Sequence, residues 1–172
     1  MGSRPEYRQA AAALGREFAR RGMTLVYGGS SIGLMGVLAD SVMGAGGEAV
    51  GVIPESMVRR EIAHRGLTRL HVVGSMHERK ARMADLADAF ILLPGGFGSW
   101  DEFCEIVTWA QLGIHAKPCG ILNVLDYYAC LLDLARHAMA EGFVRPQHWE
   151  GVVVADEPAD LLARLTALSV PR

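Results

Sequence analysis

The sequence lacks several features that would each have indicated a class of protein. It has three cysteines among 172 residues, and none are spaced as metal ligands, so we expect buried, reduced thiols rather than disulfides or a zinc centre. Its net charge of −2 gives no support for general nucleic-acid binding. No apolar run reaches membrane-spanning length and the first residues contain no signal-peptide core, which predicts a soluble cytoplasmic protein.

The composition that is present is typical of a globular protein, with 51% hydrophobic and 21% charged residues. We expect a single domain over residues 1–172, because this length suffices for one full core. Apolar strands alternate with amphipathic helices, which predicts an α/β fold with a Rossmann-like, doubly wound and mostly parallel sheet. The predicted strands are 23–27, 49–53, 70–73, 89–93, 119–124 and 151–155, and the predicted helices are 5–21, 33–45, 77–86, 103–112, 127–140 and 157–168.

Two glycine-rich turns each follow an apolar run, and each precedes an amphipathic segment. They span Tyr27 to Gly36 and Pro94 to Glu102. Glycine lets the backbone approach a ligand closely, and the first N–H groups of the following helix are free to bind an anion. A single turn of this kind is common between a strand and a helix. Two such turns in one small domain favour a nucleotide or sugar-phosphate site.

These turns resemble motifs of the LOG family, the cytokinin-activating phosphoribohydrolases, many of which are labelled "possible lysine decarboxylase". Pro94 to Glu102 resembles the family's PGGxGTxxE, and Tyr27 to Gly36 resembles its YGGGxxGLMG. Met76 to Lys80 resembles MHxRK, and Thr108 to Pro118 resembles TWxQLGxHxKP. The resemblance runs from about Pro5 to the C-terminus in the family's order and spacing.

The resemblance implies hydrolysis of cytokinin riboside 5′-monophosphates, and of AMP, to free base and ribose 5-phosphate, without a metal or other cofactor. It implies two catalytic residues, Glu102 and Arg79, and we expect neither to lie on a core face. Glu102 would bind ribose hydroxyls, stabilise the cationic sugar or orient water, in the first turn of its helix. Arg79 would position the ligand, because an arginine is a poor proton donor. A homodimer with sites near the subunit boundary is also implied.

The resemblance implies a larger set of substrate contacts around these two residues. The second glycine turn and the helix start would hold the 5′-phosphate, and the first turn would shape the neighbouring wall. Glu105 shares a helix face with Glu102, and its role stays open between a site residue and a solvated one. The expected contacts are Glu61, Lys80, Gly95, Gly96, Phe97, Gly98, Ser99, Trp100, Asp101, Thr108, Gly28, Gly29, Gly33 and Gly36.

The chain departs from the family pattern at three places. Ser30 stands where the family has a third glycine, which would limit the backbone if that position needs positive φ. Ser99 replaces a threonine and keeps the hydroxyl. Family members also begin with a further strand and glycine loop, and this chain starts near the end of that loop. Either the sequence lacks its natural N-terminus, which we favour, or the sheet is closed differently.

Two other functions compete with hydrolysis. A non-catalytic nucleotide-binding protein, such as a molybdenum-cofactor carrier, needs no acid at position 102, so Glu102 and Arg79 weigh against it. A lysine decarboxylase normally binds a pyridoxal cofactor through a lysine. Lys80 and Lys117 are the only lysines, and both lie in motifs that are explained otherwise.

Overall fold

The computed structural model describes residues 2–58 and 63–168. The chain divides into two compact units, Met1–Ala87 and Asp88–Arg172. Each unit contains a three-stranded parallel sheet whose strands are separated in sequence by helices. Glu61, one of the expected substrate contacts, lies outside the described residues.

The first unit contains three strands and four helices among its described residues. The strands are β1 (Thr24–Tyr27), β2 (Glu48–Pro54) and β3 (Arg69–Val73). The helices are α1 (Pro5–Arg20), α2 (Gly33–Gly44), α3 (Glu55–Val58) and α4 (Met76–Leu86). The sheet order is β1-β2-β3, with every pair parallel. Helices α1 and α2 pack closely against each other, because Gly15 of α1 lies where a Cβ would be 2.7 Å from the Cβ of Ser41.

The second unit contains three strands and three α-helices among its described residues. The strands are β4 (Phe90–Leu92), β5 (Cys119–Leu122) and β6 (Val152–Ala155). The helices are α5 (Phe97–Gln111), α6 (Ala129–Ala140) and α7 (Pro158–Leu168), with short 3-10 turns at Val124–Asp126 and Pro146–His148. The sheet order is β4-β5-β6, again with parallel pairs. Leu161 and Leu165 of α7 are buried against β5, where Gly120 leaves space for them.

The predicted α/β class is confirmed, and all six described strands run parallel to their neighbours within sheets of three. Most boundaries fall within two residues of the prediction, but α5 was predicted to start at Phe103 and begins at Phe97. The reason is that Gly96 is the extended N-cap, with φ −100° and ψ −154°, so the residues after it are already helical. The apolar periodicity used for the prediction begins only later in the helix.

The three cysteines are free thiols, as expected, but only one of them is buried. Cys119 is 3% exposed on β5, and burial raises the pKa of its thiol to about 12. Cys104 and Cys130 lie on exposed helix surfaces, so the expectation of burial was wrong for these two. An apolar neighbourhood in sequence does not bury a helical residue whose own face points outward.

A helix needs about 20 apolar residues to cross a bilayer. The longest helix among the described residues is α1, with 16 residues. No helix in residues 2–58 and 63–168 is long and apolar enough to span a membrane.

Candidate functional site

Arg79 is a buried charged side chain in the first unit. It lies on α4, which packs against β2, and only 7% of it is exposed. Its Nε donates a hydrogen bond to the carbonyl oxygen of Val52, at 3.2 Å. The expectation that Arg79 lies off the core was therefore wrong. A buried guanidinium needs hydrogen bonds to offset its desolvation, and the end of β2 supplies one of them.

Gly28 leaves the space that the Arg79 guanidinium occupies. A Cβ built at position 28 would lie 1.8 Å from Nη2 of Arg79 and 3.0 Å from its Cζ. The same Cβ would lie 3.3 Å from the sulfur of Met35. Any side chain at this position would displace the arginine, so the first glycine turn and the helix of Arg79 depend on each other.

Other glycines of the first turn are required by the backbone. Gly29 and Gly33 have φ of +70° and +69°, a region that side-chain-bearing residues rarely adopt. A Cβ at Gly36 would lie 2.1 Å from the carbonyl oxygen of Ser31. Gly28, Gly29, Gly33 and Gly36 thus shape the turn through its own packing.

Ser30 is compatible with its position, although the family has glycine there. Its φ is not positive, so the anticipated limit on the backbone does not arise. The side chain is 6% exposed, and its hydroxyl accepts a hydrogen bond from the N–H of Ile32 at 3.1 Å. The hydroxyl therefore pairs with the backbone of the turn.

The start of α4 is fixed by a cap that the sequence analysis missed. Ser75 is the N-cap, and its hydroxyl accepts from the N–H of Glu78 at 3.1 Å. The Glu78 carboxylate in turn accepts from the N–H of Gly74 at 2.8 Å. The signal was present as Ser-x-x-Glu, the pattern of a capping box. This cap sets where the helix begins and therefore where Arg79 projects.

The second glycine turn places a helix N-terminus directly after β4. The first backbone bond of α5 runs from the N–H of Trp100 to the carbonyl of Gly96, at 3.1 Å. The preceding N–H groups have no acceptor within the helix. They belong to Gly96, Phe97, Gly98 and Ser99. All four are expected substrate contacts, and the two glycines and Ser99 are expected to hold the 5′-phosphate.

Gly95 leaves the space that the Ser99 hydroxyl occupies, just as Gly28 leaves space for the Arg79 guanidinium. A Cβ at Gly95 would lie 2.1 Å from the hydroxyl oxygen of Ser99. By contrast, a Cβ at Gly96 or Gly98 would meet no atom within 4 Å among the described residues. Packing thus explains glycine at position 95, whereas open space surrounds the other two.

Two tyrosines that the sequence analysis did not assign to the site bind the backbone of this turn. The Tyr127 hydroxyl donates to the carbonyl of Gly95 at 2.7 Å, and the Tyr128 hydroxyl donates to that of Leu93 at 2.6 Å. Burial raises the pKa of Tyr128. Both tyrosines follow β5, next to β4, where the carboxyl ends of parallel strands meet.

Glu102 is half-buried in the second turn of α5. The expectation that it lies in the first turn was wrong, because the helix begins earlier than predicted. Glu105 on the same helix is also half-buried, whereas Asp101 is exposed. The exposed Thr108 uses its hydroxyl within the helix, donating to the carbonyl of Cys104 at 2.7 Å.

An aromatic pair lies beside the second turn. Phe97 is 85% exposed, and its ring packs edge-on against that of Trp100 with centroids 5.1 Å apart. Exposure of a large apolar ring is unfavourable in water, so this pair is a candidate surface for an apolar or aromatic ligand group.

The expected site residues are divided between the two units. Arg79, the half-buried Lys80 and the first glycine turn belong to the first unit. Glu102 and the second turn belong to the second unit. Residues 2–58 and 63–168 contain no group of three or more His, Cys, Asp or Glu side chains able to hold a metal ion.

One cavity of the first unit lies beside the first glycine turn, because His64, which lines it, donates its N–H to the carbonyl of Gly29 at 2.8 Å. Its volume is about 340 Å³. It is lined by Val58, Ala63, His64, Arg65, Leu67 and Leu70. None of the described site residues lines it, so the candidate site is defined by the turns and their partners rather than by this cavity.

Comparison with known proteins gives a consistent result. The family model described as possible lysine decarboxylase matches residues 35–165. The chain is 50% identical over 161 residues to the cytokinin riboside 5′-monophosphate phosphoribohydrolase of Rhodococcoides fascians, an alignment covering 93% of this chain and 81% of that protein. It is 46% identical over 164 residues to the cytokinin riboside 5′-monophosphate phosphoribohydrolase LOG7 of Arabidopsis thaliana, covering 95% and 76%.

A solved structure shares the fold. The molybdenum cofactor binding protein of the phototrophic bacterium Rippkaea orientalis superimposes with a TM-score of 0.73. The alignment covers 96% of this chain and 89% of that one, at 20% sequence identity. A sequence identity of 20% supports a shared fold but does not indicate which ligand this chain binds.

The contact between Gly28 and Arg79 generates a prediction about stability. Gly28→Ala should lower the free energy of unfolding by about 1–3 kcal/mol, because the displaced guanidinium loses its bond to Val52 and stays partly buried. Gly44→Ala is the matched control, since a Cβ there meets no described atom within 4 Å and alanine favours a helix. Denaturant titration measures both variants.

A double-mutant cycle with Arg79→Ala tests whether the contact with Arg79 causes the loss of stability in Gly28→Ala. In that background the clash is absent, so Gly28→Ala should be nearly neutral relative to Arg79→Ala alone. An equal loss of stability in both backgrounds would show that Arg79 is not what excludes a side chain from position 28.

Proposed function

This chain belongs to the LOG family of cytokinin riboside 5′-monophosphate phosphoribohydrolases, and on that premise we propose that it hydrolyses the N-glycosidic bond of nucleoside 5′-monophosphates. The products are the free base and ribose 5-phosphate, and the substrates are cytokinin riboside 5′-monophosphates and AMP. The observation that carries the proposal is 50% identity to one such enzyme over 93% of the chain, with Arg79 and Glu102 both present. We treat residues 1–172 as one functional domain.

The second glycine turn holds the 5′-phosphate in this proposal. The N–H groups of residues 96–99 lack acceptors within α5, and the positive end of the helix dipole favours an anion there. Gly96 and Gly98 have open space where a side chain would be, which gives the phosphate access to the backbone. Ser99 contributes its hydroxyl.

Glu102 acts on the ribose. Breaking the bond from C1′ to the base leaves positive charge on the sugar, and water adds at C1′ while a proton passes to the departing base. A half-buried carboxylate stabilises that charge more strongly than one fully in water. Binding of ribose hydroxyls and orientation of water are further roles for the same group.

Arg79 positions the substrate. Its hydrogen bond to Val52 and the absence of a side chain at Gly28 hold the guanidinium in one place. A fixed donor loses less conformational entropy on binding than a mobile surface arginine would. Because arginine keeps its proton at physiological pH, we assign it to binding and charge stabilisation rather than to proton transfer.

Other expected contacts have supporting roles. Phe97 and Trp100 offer apolar ring surface for the base, because both are exposed beside the turn. Lys80, Asp101 and Thr108 are assigned as secondary contacts. The remaining proposed contacts are Glu61 and the glycines of the first turn, Gly28, Gly29, Gly33 and Gly36.

A carrier function is the competing proposal, since a molybdenum cofactor binding protein shares the fold. Identity to that protein is 20%, against 50% to a phosphoribohydrolase, which favours the enzyme. The two functions differ in one observable, because a carrier binds its ligand and releases it unchanged.

We also propose that the chain acts as a homodimer. Several large apolar side chains of the second unit are exposed, and an interface between two copies of the chain would remove such surface from water. They are Phe97 (85%), Leu112 (66%), Ile114 (62%) and Phe143 (86%).

Light scattering on the purified protein tests this assembly. We expect about twice the chain's mass, with the dimer persisting at micromolar concentration because apolar burial drives association. A stable monomer with full activity would contradict the proposal.

Glu102→Gln separates chemistry from binding. Removing the negative charge should lower base release from AMP by roughly two or more orders of magnitude, as found when one electrostatic stabiliser is lost. AMP binding, measured by calorimetry on the same preparation, should weaken far less because backbone N–H groups hold the phosphate.

The matched control is Glu141→Gln, an exposed glutamate at the end of α6 in the same unit. It should retain wild-type base release. Near-normal turnover by Glu102→Gln would remove the proposed mechanism and favour a binding or carrier role.

A further inference from the structure

We propose that Tyr127 is a positioning residue for phosphate recognition: its hydroxyl fixes the peptide between Gly95 and Gly96, and thereby aims the Gly96 N–H at the phosphate. The proposal deepens the proposed function and rests on it, because it takes the second glycine turn as the site of the 5′-phosphate. Tyr127 itself need not contact the substrate.

The planar peptide between Gly95 and Gly96 links the Tyr127 hydroxyl to the orientation of the Gly96 N–H. The Tyr127 hydroxyl donates to the Gly95 carbonyl at 2.7 Å, the usual length of a hydrogen bond from an O–H donor. The peptide between Gly95 and Gly96 is trans and planar, so its N–H points opposite to its carbonyl. Holding the oxygen toward Tyr127 therefore turns the Gly96 N–H away from Tyr127.

Glycine makes this restraint necessary. Gly95 and Gly96 flank the peptide, and glycine populates more backbone conformations than any other residue. Gly96 is also the N-cap of α5, so its N–H has no acceptor inside the helix. Without an external partner, the peptide is free to rotate, and ordering it on ligand binding would weaken affinity.

The backbone around Tyr127 is strained in a way that fits a positioning role. Leu125 and Asp126, just before it, have φ of +53° and +56°, and each such residue costs roughly 1 kcal/mol or more. Such conformations persist where surrounding contacts impose them. The strained pair turns the chain so that Tyr127 reaches Gly95.

Asn123 supplies contacts that impose this conformation. It is 5% exposed, and its side-chain oxygen accepts from the N–H of Tyr128 at 2.8 Å. Its side-chain nitrogen donates to the Asp126 carboxylate at 3.2 Å. The Asp126 N–H donates to the Asn123 carbonyl at 3.1 Å. One buried amide thus spans the strained residues and orders the segment from both sides.

Tyr128 provides an internal comparison. Its hydroxyl donates to the Leu93 carbonyl, but the nitrogen of that peptide belongs to Pro94 and carries no hydrogen. The bond from Tyr128 holds this carbonyl and so anchors the turn, but the same peptide has no N–H group that the bond could orient. Tyr128 is also 2% exposed, against 38% for Tyr127, so its hydroxyl bond contributes mainly to stability.

Tyr127→Phe tests the inference because it removes only the hydroxyl. The rings of Tyr127 and Tyr128 pack edge-to-face at 4.8 Å, and that packing is retained. Calorimetry should show AMP affinity reduced about three- to tenfold, the value of one ordinary hydrogen bond, with adenosine affinity unchanged. In steady-state assays, KM for AMP should rise by a similar factor while kcat stays near wild type.

Tyr128→Phe is the matched comparison. It should lower the denaturant midpoint more than Tyr127→Phe does, and should change the preference for AMP over adenosine less. A structural role alone for Tyr127 would move the midpoint and leave that preference unchanged.

The outcomes separate this inference from the proposed function. Wild-type AMP affinity in Tyr127→Phe, or an equal loss for AMP and adenosine, would overturn the positioning role even if base release continues. Wild-type protein that binds AMP without releasing base would overturn hydrolysis, while the affinity comparison still decides the role of Tyr127. Failure of the wild type to bind AMP would overturn both.

Discussion

Close approach of a polar side chain to a glycine is the constraint on which both turns of this protein depend. At Gly28 the neighbour is the Arg79 guanidinium, and at Gly95 it is the Ser99 hydroxyl. In each case the glycine's missing Cβ is the space that the functional group occupies, at 1.8 and 2.1 Å from where that atom would be. The glycines therefore place side chains as well as permitting unusual backbone angles.

This constraint links stability to function. A buried arginine is unfavourable unless it is hydrogen-bonded, and Arg79 meets that requirement through Val52 while staying in position beside the first turn. The second turn shows the same principle with neutral groups, because tyrosine hydroxyls hold its carbonyls and leave helix N–H groups for an anion. In the proposed function, both arrangements pre-organise groups that bind substrate.

Much of the architecture was predictable because its signals are local. Apolar runs and glycine turns identified the strands and helices, and the motifs around Arg79 and Glu102 identified the family. The burial of Arg79 was not predictable, since it depends on a carbonyl 27 residues away, and the bond from Tyr127 to Gly95 spans 32 residues. The start of α5 was missed for a different reason: Phe97, Gly98 and Ser99 are already helical, although the glycine-rich composition there is typical of a turn.

The central claim is that this protein breaks the bond between base and ribose 5-phosphate. The most direct measurement is incubation with AMP, a cytokinin riboside 5′-monophosphate, the matching nucleosides and lysine, with products separated by chromatography. We expect free base and ribose 5-phosphate in equal amounts from the monophosphates, much slower cleavage of nucleosides, and unchanged lysine. Equal rates on nucleosides would contradict the phosphate site. Intact monophosphate recovered from a protein that binds it would contradict hydrolysis itself.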